Sequence, residues 1–167
     1  MDAREEFKKL AQIPDFQDSV EDKELLMTDK MSVLQINVGR LCNLACKHCH
    51  VEAGPNRTEV MGRDVLEDCL KLYKEWGFQT IDITGGAPEM NPHFRWFVEE
   101  AVKVCPDVMV RSNLTVMLEE GYEDLPEFYA ANKVTVICSL PHYKAKNSNK
   151  QRGEGTFEKS IQVLKRL

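Results

Sequence analysis

Apolar positions in this chain change their period as the sequence advances. Residues 1 to 31 are polar and charged, with helical spacing only over residues 2 to 13, stopped by Pro14, and again around residues 22 to 27, so this stretch reads as a lead-in segment. From Ser32 onward, short β-rich runs alternate with longer helical ones. Residues 32 to 38 predict the first strand, with Val33, Leu34, Ile36 and Val38 apolar. Residues 58 to 76 predict a helix, because Met61, Val65, Leu66, Cys69, Leu70, Tyr73 and Trp76 recur at helical spacing and Gly77 is a natural stop. Residues 80 to 84 predict the second strand. Its helix is expected to start with Asn91 as cap and Pro92 in the first turn, carrying a stripe of Phe94, Phe97, Val98, Ala101, Val102 and Cys105. A third strand at 107 to 111, a short helix at 125 to 131, a fourth strand at 133 to 139 and a last helix at 156 to 167 complete the pattern. The last helix puts Phe157, Ile161 and Leu164 on one face.

Four strand-helix units in series imply an α/β fold with a parallel sheet joined by right-handed crossovers, and the apolar strand runs predict helices on both faces. In such sheets, chemistry gathers after the carboxyl ends of the strands. The loops of interest are then 39 to 57, 85 to 91, 112 to 117 and 140 to 155. The last exceeds the ~12 to 15 residues at which a structureless connection is usually functional or mobile. Its His142, Tyr143, Lys144 and Lys146 show no spacing that singles out a base or ligand, and no catalytic side chain is identified elsewhere.

Composition narrows the function classes. Lys plus Arg at 22 against Asp plus Glu at 27 gives a net charge of −5, with the basic residues scattered, which argues against a nucleic-acid or anionic-membrane binder. Apolar runs fall far short of the ~18 residues that span a bilayer, so no membrane partner is expected. The charged residues 1 to 9 lack an apolar segment and cleavage site, which makes the cytoplasm the expected compartment and disulfides unexpected.

Cysteine spacing then carries the chemistry. Of six cysteines, Cys42, Cys46 and Cys49 form a C-x3-C-x2-C run directly after the first strand. Cys69, Cys105 and Cys138 stand alone on apolar faces and read as core residues. Three thiolates so close in sequence can hold a 4Fe-4S cluster whose fourth iron has no protein ligand. The same cysteines with His48 or His50 could instead complete a tetrahedral zinc site, giving a zinc-stabilised Cys/His binding module. Three buried thiols fit a polar, Gly- and Pro-flanked loop poorly.

The cysteine run after the first strand of a β/α series resembles the radical S-adenosylmethionine (SAM) superfamily. The superfamily's aromatic position before the third cysteine, which lies by the adenine of SAM, is His48 here. Its Gly-Gly-Glu motif after strand two reads Gly85-Gly86-Ala87-Pro88-Glu89, keeping both glycines and replacing the acid by Ala87. Missing Cβ atoms would let those backbones approach the methionyl amino group. By the same resemblance, Asn113 and Ser139 fall where polar groups meet the amino-acid part and ribose of SAM. Arg152-Gly153-Glu154-Gly155-Thr156-Phe157 is similar to an Arg-Gly-x-Gly-x-Phe segment whose arginine, here Arg152, could pair with the SAM carboxylate.

A closer resemblance covers about residues 32 to 167. Leu34-Gln35-Ile36-Asn37-Val38-Gly39, the run Cys46-Lys47-His48-Cys49-His50-Val51-Glu52-Ala53-Gly54-Pro55-Asn56-Arg57, and Thr84 through Arg95 with its Ala87 look like the arsenosugar-biosynthesis radical SAM/Cys-rich family. That resemblance implies a partial (β/α) barrel and a 4Fe-4S cluster on Cys42, Cys46 and Cys49. It further implies SAM bound partly by Gly85 and Gly86, an external electron donor, and a small-molecule substrate of the dimethylarsenic(III) type joined to the 5'-deoxyadenosyl group. Radical SAM cores generally contain six β/α units, so residues 32 to 167 are expected to be a core domain cut short after its fourth. The family's Cys-rich region beyond the barrel is absent from this sequence. A non-catalytic partial copy that keeps the cluster loop is the remaining alternative.

Overall fold

Four parallel strands pair in chain order: β1 (Val33–Asn37), β2 (Thr80–Thr84), β3 (Asp107–Ser112) and β4 (Thr135–Cys138). Register sets Leu34 beside Ile81, Ile81 beside Val108 and Val110 beside Val136, so one side-chain parity forms one sheet face. That face carries Ile36, Ile81, Ile83, Val108 and Val110, all buried beneath helices. Each such side chain contributes roughly 1.5–3 kcal/mol on burial.

The computed structural model describes residues 4–5, 14–27 and 30–167, which divide into two units, 1–31 and 32–167. In the first unit the helix expected over residues 2 to 13 lies, apart from Arg4 and Glu5, outside the described residues. The patch at 22 to 27 is a 3-10 turn, Lys23–Leu26, capped by the Asp22 carboxylate accepting from the Glu24 N–H at 3.0 Å.

Helices alternate with the strands in the second unit. They are α1 (Arg63–Trp76), α2 (Phe94–Val104), α3 (Leu125–Asn132), α4 (Ala145–Arg152) and α5 (Thr156–Leu164). α1 ends at Gly77 in the left-handed region (φ 69°), as its glycine predicts. It starts at Arg63, later than expected, because residues 58 to 60 run extended back to Gly39 and Arg40. The stripe of α2 buries Phe94, Phe97, Val98 and Ala101. Its cap is His93 rather than Asn91, whose side chain instead accepts from the His93 N–H (2.8 Å) and donates to the Val38 and Met61 carbonyls (both 3.0 Å).

Three further expectations need correction. Among the described residues, only β2 is buried on both faces; the other face, holding Gln35, Asp82, Met109 and Arg111, is polar and partly open, as suits the inner side of a partial barrel whose helices cover only the outside. The loop over residues 140 to 155 contains α4, whose buried residues are Ser148, Asn149 and Arg152. In α5 the buried set is Thr156, Ser160 and Val163, while Leu164 is exposed. Thr156 and Ser160 satisfy themselves on backbone carbonyls of the preceding turn (3.4 and 2.7 Å), which lets a polar seam face inward.

Candidate functional site

The loop after β1 is tied down before it carries any chemistry. The Arg40 N–H donates to Glu59 O (2.8 Å), Gly54 N–H to Arg40 O (3.1 Å) and Cys42 N–H to Gly54 O (3.2 Å), closing its neck. Within it, the Cys49 N–H donates to Cys46 O and the Glu52 N–H to Cys49 O, so two tight turns present the thiols. The loop after β2 is stitched on top, with the Gly86 N–H on Gly39 O and the Ala87 N–H on Leu41 O, both at 2.9 Å. Here the glycines are needed by the protein itself: a Cβ on Gly86 would stand 2.5 Å from Leu41 O, and one on Gly85, at φ 154°, 2.7 Å from Gly39 O.

A cavity of about 340 Å³ opens at the carboxyl ends of the strands. All nine residues singled out in the sequence line it: Cys42, Cys46, Cys49, His48, Gly85, Gly86, Asn113, Ser139 and Arg152. Cys42 is buried, Cys46 and Cys49 half-buried, and His48 and Ser139 exposed at the rim. Arg152 is only 8% exposed, yet its Nε and Nη1 have no partner. Asn113 differs from expectation, since its amide is already engaged within the protein. Its Nδ2 donates to Asn43 Oδ1 (2.8 Å) and Cys42 Sγ (3.5 Å), and its Oδ1 accepts from the Thr115 hydroxyl (3.0 Å) and the Val116 N–H (3.3 Å).

Burial pushes the Cys42 thiol up, opposed by the Leu44 N–H and the Asn113 amide. It also raises the Cys46 thiol, and here the Arg152 charge is the main opposing influence. Deeper in the fold, the Glu89 carboxyl is held above the usual range by burial, against the pull of the Ser112 and Tyr129 hydroxyls; Tyr129 Oη donates to Glu89 Oε1 at 3.0 Å.

A sequence model of the radical SAM superfamily matches residues 36–167. The chain belongs to the radical SAM superfamily. Membership implies a 4Fe-4S cluster and SAM as cofactors. Among relatives of this radical SAM chain, the subtilosin biosynthesis protein AlbA of Bacillus subtilis is 27% identical over 127 residues, covering 75% of this chain and 28% of AlbA. A probable GTP 3',8-cyclase of Archaeoglobus fulgidus is 36% identical over 96 residues, covering 56% of this chain and 31% of the cyclase. The crystal structure of Streptococcus suis SuiB superposes with TM-score 0.67 at 19% identity, over 86% of this chain and 32% of SuiB. A tagged anSMEcpe with bound AdoMet gives 0.64 at 23% identity, over 82% of this chain and 40% of that one. These structures share the fold. The chain spans well under half the length of each of these proteins.

The cavity fits both cofactors of a radical SAM protein. Three thiols lining one space form a donor set for an iron-sulfur cluster. A buried guanidinium with unpaired N–H groups in the same space is matched by the carboxylate of an amino-acid ligand. Among the described residues, no three Cys, His, Asp or Glu side chains form a group that could hold one metal ion. The two observations differ in scale: a single zinc needs every sulfur ~2.3 Å from one point, whereas a cluster gives each thiolate its own iron.

Sequence reasoning missed two parts of this candidate site. Arg111 lines the cavity from β3, held by Asp82 through Nε (2.9 Å to each carboxylate oxygen) and Nη2 (2.8 Å to Oδ2), with Gln35 Nε2 on the same carboxylate at 2.7 Å. Asp82 and Arg111 stand next to apolar residues in β2 and β3, and that alternation was the available signal. The second is α4, fastened to the cysteine loop by the Lys47 N–H donating to Gln151 O at 2.9 Å.

Proposed function

We propose that this chain carries the cluster- and SAM-binding part of a radical SAM enzyme that cleaves SAM reductively, with Cys42, Cys46 and Cys49 holding the 4Fe-4S cluster. The observation that carries the reading is one cavity lined by those three thiols, by two glycines with no room for a Cβ, and by a buried arginine lacking partners. When bound, the cofactor pair would supply the hard chemistry, the reductive cleavage of SAM to methionine and a 5'-deoxyadenosyl radical with one electron from an external donor. The protein binds, orients and shields. Arg152 takes the methionyl carboxylate, the Gly85-Gly86 backbone takes the amino group, and His48 and Ser139 at the rim lie by the adenine and ribose. Asn113 meets the amino-acid part only if it gives up one of its internal bonds.

The motif resemblance to the arsenosugar family supports a dimethylarsenic(III) substrate joined at C5', in a cytoplasmic protein whose core domain spans residues 32 to 167. Anaerobic reconstitution with iron and sulfide, followed by SAM and a strong reductant, is expected to give a broad iron-sulfur absorbance and 5'-deoxyadenosine. One stoichiometric zinc without sulfide would overturn the reading in favour of a zinc module. A full cluster with no 5'-deoxyadenosine would favour a partial copy. Adding dimethylarsenic(III) is expected to divert product into an arsenic(V)–C5' adduct, with one proton released and one electron returned to the oxidised cluster; an unchanged 5'-deoxyadenosine yield would remove the arsenical.

A further inference from the structure

Among the described residues, each hydrogen bond received by the three cavity thiols but one comes from the backbone. The Leu44 N–H donates to Cys42 Sγ at 3.4 Å and the Ala53 N–H to Cys49 Sγ at 3.3 Å. The exception is the Asn113 side chain, whose Nδ2 reaches Cys42 Sγ at 3.5 Å. An amide of this kind can be placed either way round, but its neighbours decide the orientation. Its Oδ1 end receives two donors, the Thr115 hydroxyl and the Val116 N–H, so the other end must be the NH2 group facing the sulfur. The arrangement closes on itself: Asn113 donates to Asn43 (2.8 Å), Asn43 Nδ2 donates to Thr115 Oγ1 (3.0 Å), and Thr115 donates back to Asn113 (3.0 Å). This ring joins the cysteine loop to the loop after β3. Cys42 and Asn113 are 5% and 8% exposed, so the contact is shielded from water.

We propose that Asn113 is a positioning residue that sets the reduction potential of the cluster through its N–H···S bond to Cys42, an inference that rests on the cluster assignment proposed above. Reduction adds negative charge to the cluster and its sulfur ligands. A donor aimed at a ligand sulfur stabilises the more negative, reduced state and so raises the potential. Closure of the ring holds that donor in place whichever redox state the cluster occupies.

The test is a spectroscopically monitored redox titration of the reconstituted full chain and of Asn113→Asp and Asn113→Ala. Asn113→Asp keeps the shape and both accepted hydrogen bonds while replacing the NH2 group, and with it the donations to Cys42 and Asn43, by an oxygen. At a fixed reductant poise, the ratio of reduced to oxidised cluster is expected to fall on the order of three- to tenfold in Asn113→Ala and further in Asn113→Asp; tenfold corresponds to about 59 mV for a one-electron couple. Iron and sulfide content per chain should stay at the wild-type level. Loaded variants with the wild-type potential would overturn the inference and leave the cluster assignment standing, as would loss of loading in both variants, which would make Asn113 purely structural. Failure of the wild-type chain to form a 4Fe-4S cluster would instead overturn the cluster assignment itself.

Discussion

The two flanks of the cavity follow opposite plans. On the Cys42 flank, Asn43, Asn113 and Thr115 satisfy one another and the thiol, and the backbone of the loop after β2 is pinned against the cysteine loop without space for a Cβ. On the Arg152 flank, a guanidinium is buried with two nitrogens unpaired, beside the half-buried Cys46. Burying an unpaired charge is costly, whereas a closed hydrogen-bonded ring is rigid and close to neutral in cost. A closed flank positions a ligand; an open flank waits for one.

The largest expected effect breaks the closed flank. In Gly86→Ala the new Cβ meets backbone oxygens of Leu41 and Arg40 at 2.5 and 2.8 Å, and neither can rotate away as a side-chain tip would. Overpacking of this kind costs about 3 kcal/mol or more. For a chain of this size that is a fall in Tm of roughly 6 °C or more, measurable by thermal denaturation. A wild-type Tm would show that the two loops are not packed as tightly as the comparison requires.

The open flank should respond in the opposite sense. Arg152→Met removes the unpaired charge and keeps apolar volume, so stability is expected to hold or rise slightly. Affinity for SAM, read by calorimetry on the reconstituted protein, is expected to fall about 30- to 100-fold, the ~2–3 kcal/mol of a charge-assisted hydrogen bond to a carboxylate. A destabilised variant with unchanged SAM affinity would make Arg152 a structural residue and erase the distinction between the flanks.

How much of this was legible beforehand follows from what each signal measures. Hydrophobic period located β1 to β4 and the stripe of α2, because those elements bury Ile81, Val110, Phe97 and their neighbours. It failed at α4, whose sequence AKNSNKQR buries Ser148, Asn149 and Arg152 and so has no apolar period to detect. Cysteine spacing and the Gly-Gly pair pointed to residues that the fold brings into one cavity, since local motifs survive without tertiary knowledge. Their partners did not, because Asn43 and Asn113 are 70 positions apart and nothing in either residue announces the other. The same limit hid the Gln35, Asp82 and Arg111 network, which exists only once register places β1, β2 and β3 side by side.

The smallest expected effect concerns the exception on the closed flank. Glu89 is buried with one carboxylate oxygen on Tyr129 and the other unpaired. Burial raises its pKa, so the folded protein holds the proton more tightly than the unfolded chain does. The sign follows from linkage: this contribution to stability is fully present below the unfolded pKa, 4.5, and is lost as pH rises through the higher folded value. Glu89→Gln keeps the size, the acceptor for Tyr129 and one unpaired atom, and removes only the titration. Denaturation across pH 4 to 8 is therefore expected to show the wild type losing stability relative to the variant as pH rises. Burial therefore favours the uncharged form of Glu89, whereas the buried, unpaired Arg152 guanidinium is matched by a bound anion. Parallel curves with a constant offset would mean that the folded protein and the unfolded chain hold the Glu89 proton equally, so that above the ordinary carboxylate range both flanks bury unpaired charge alike.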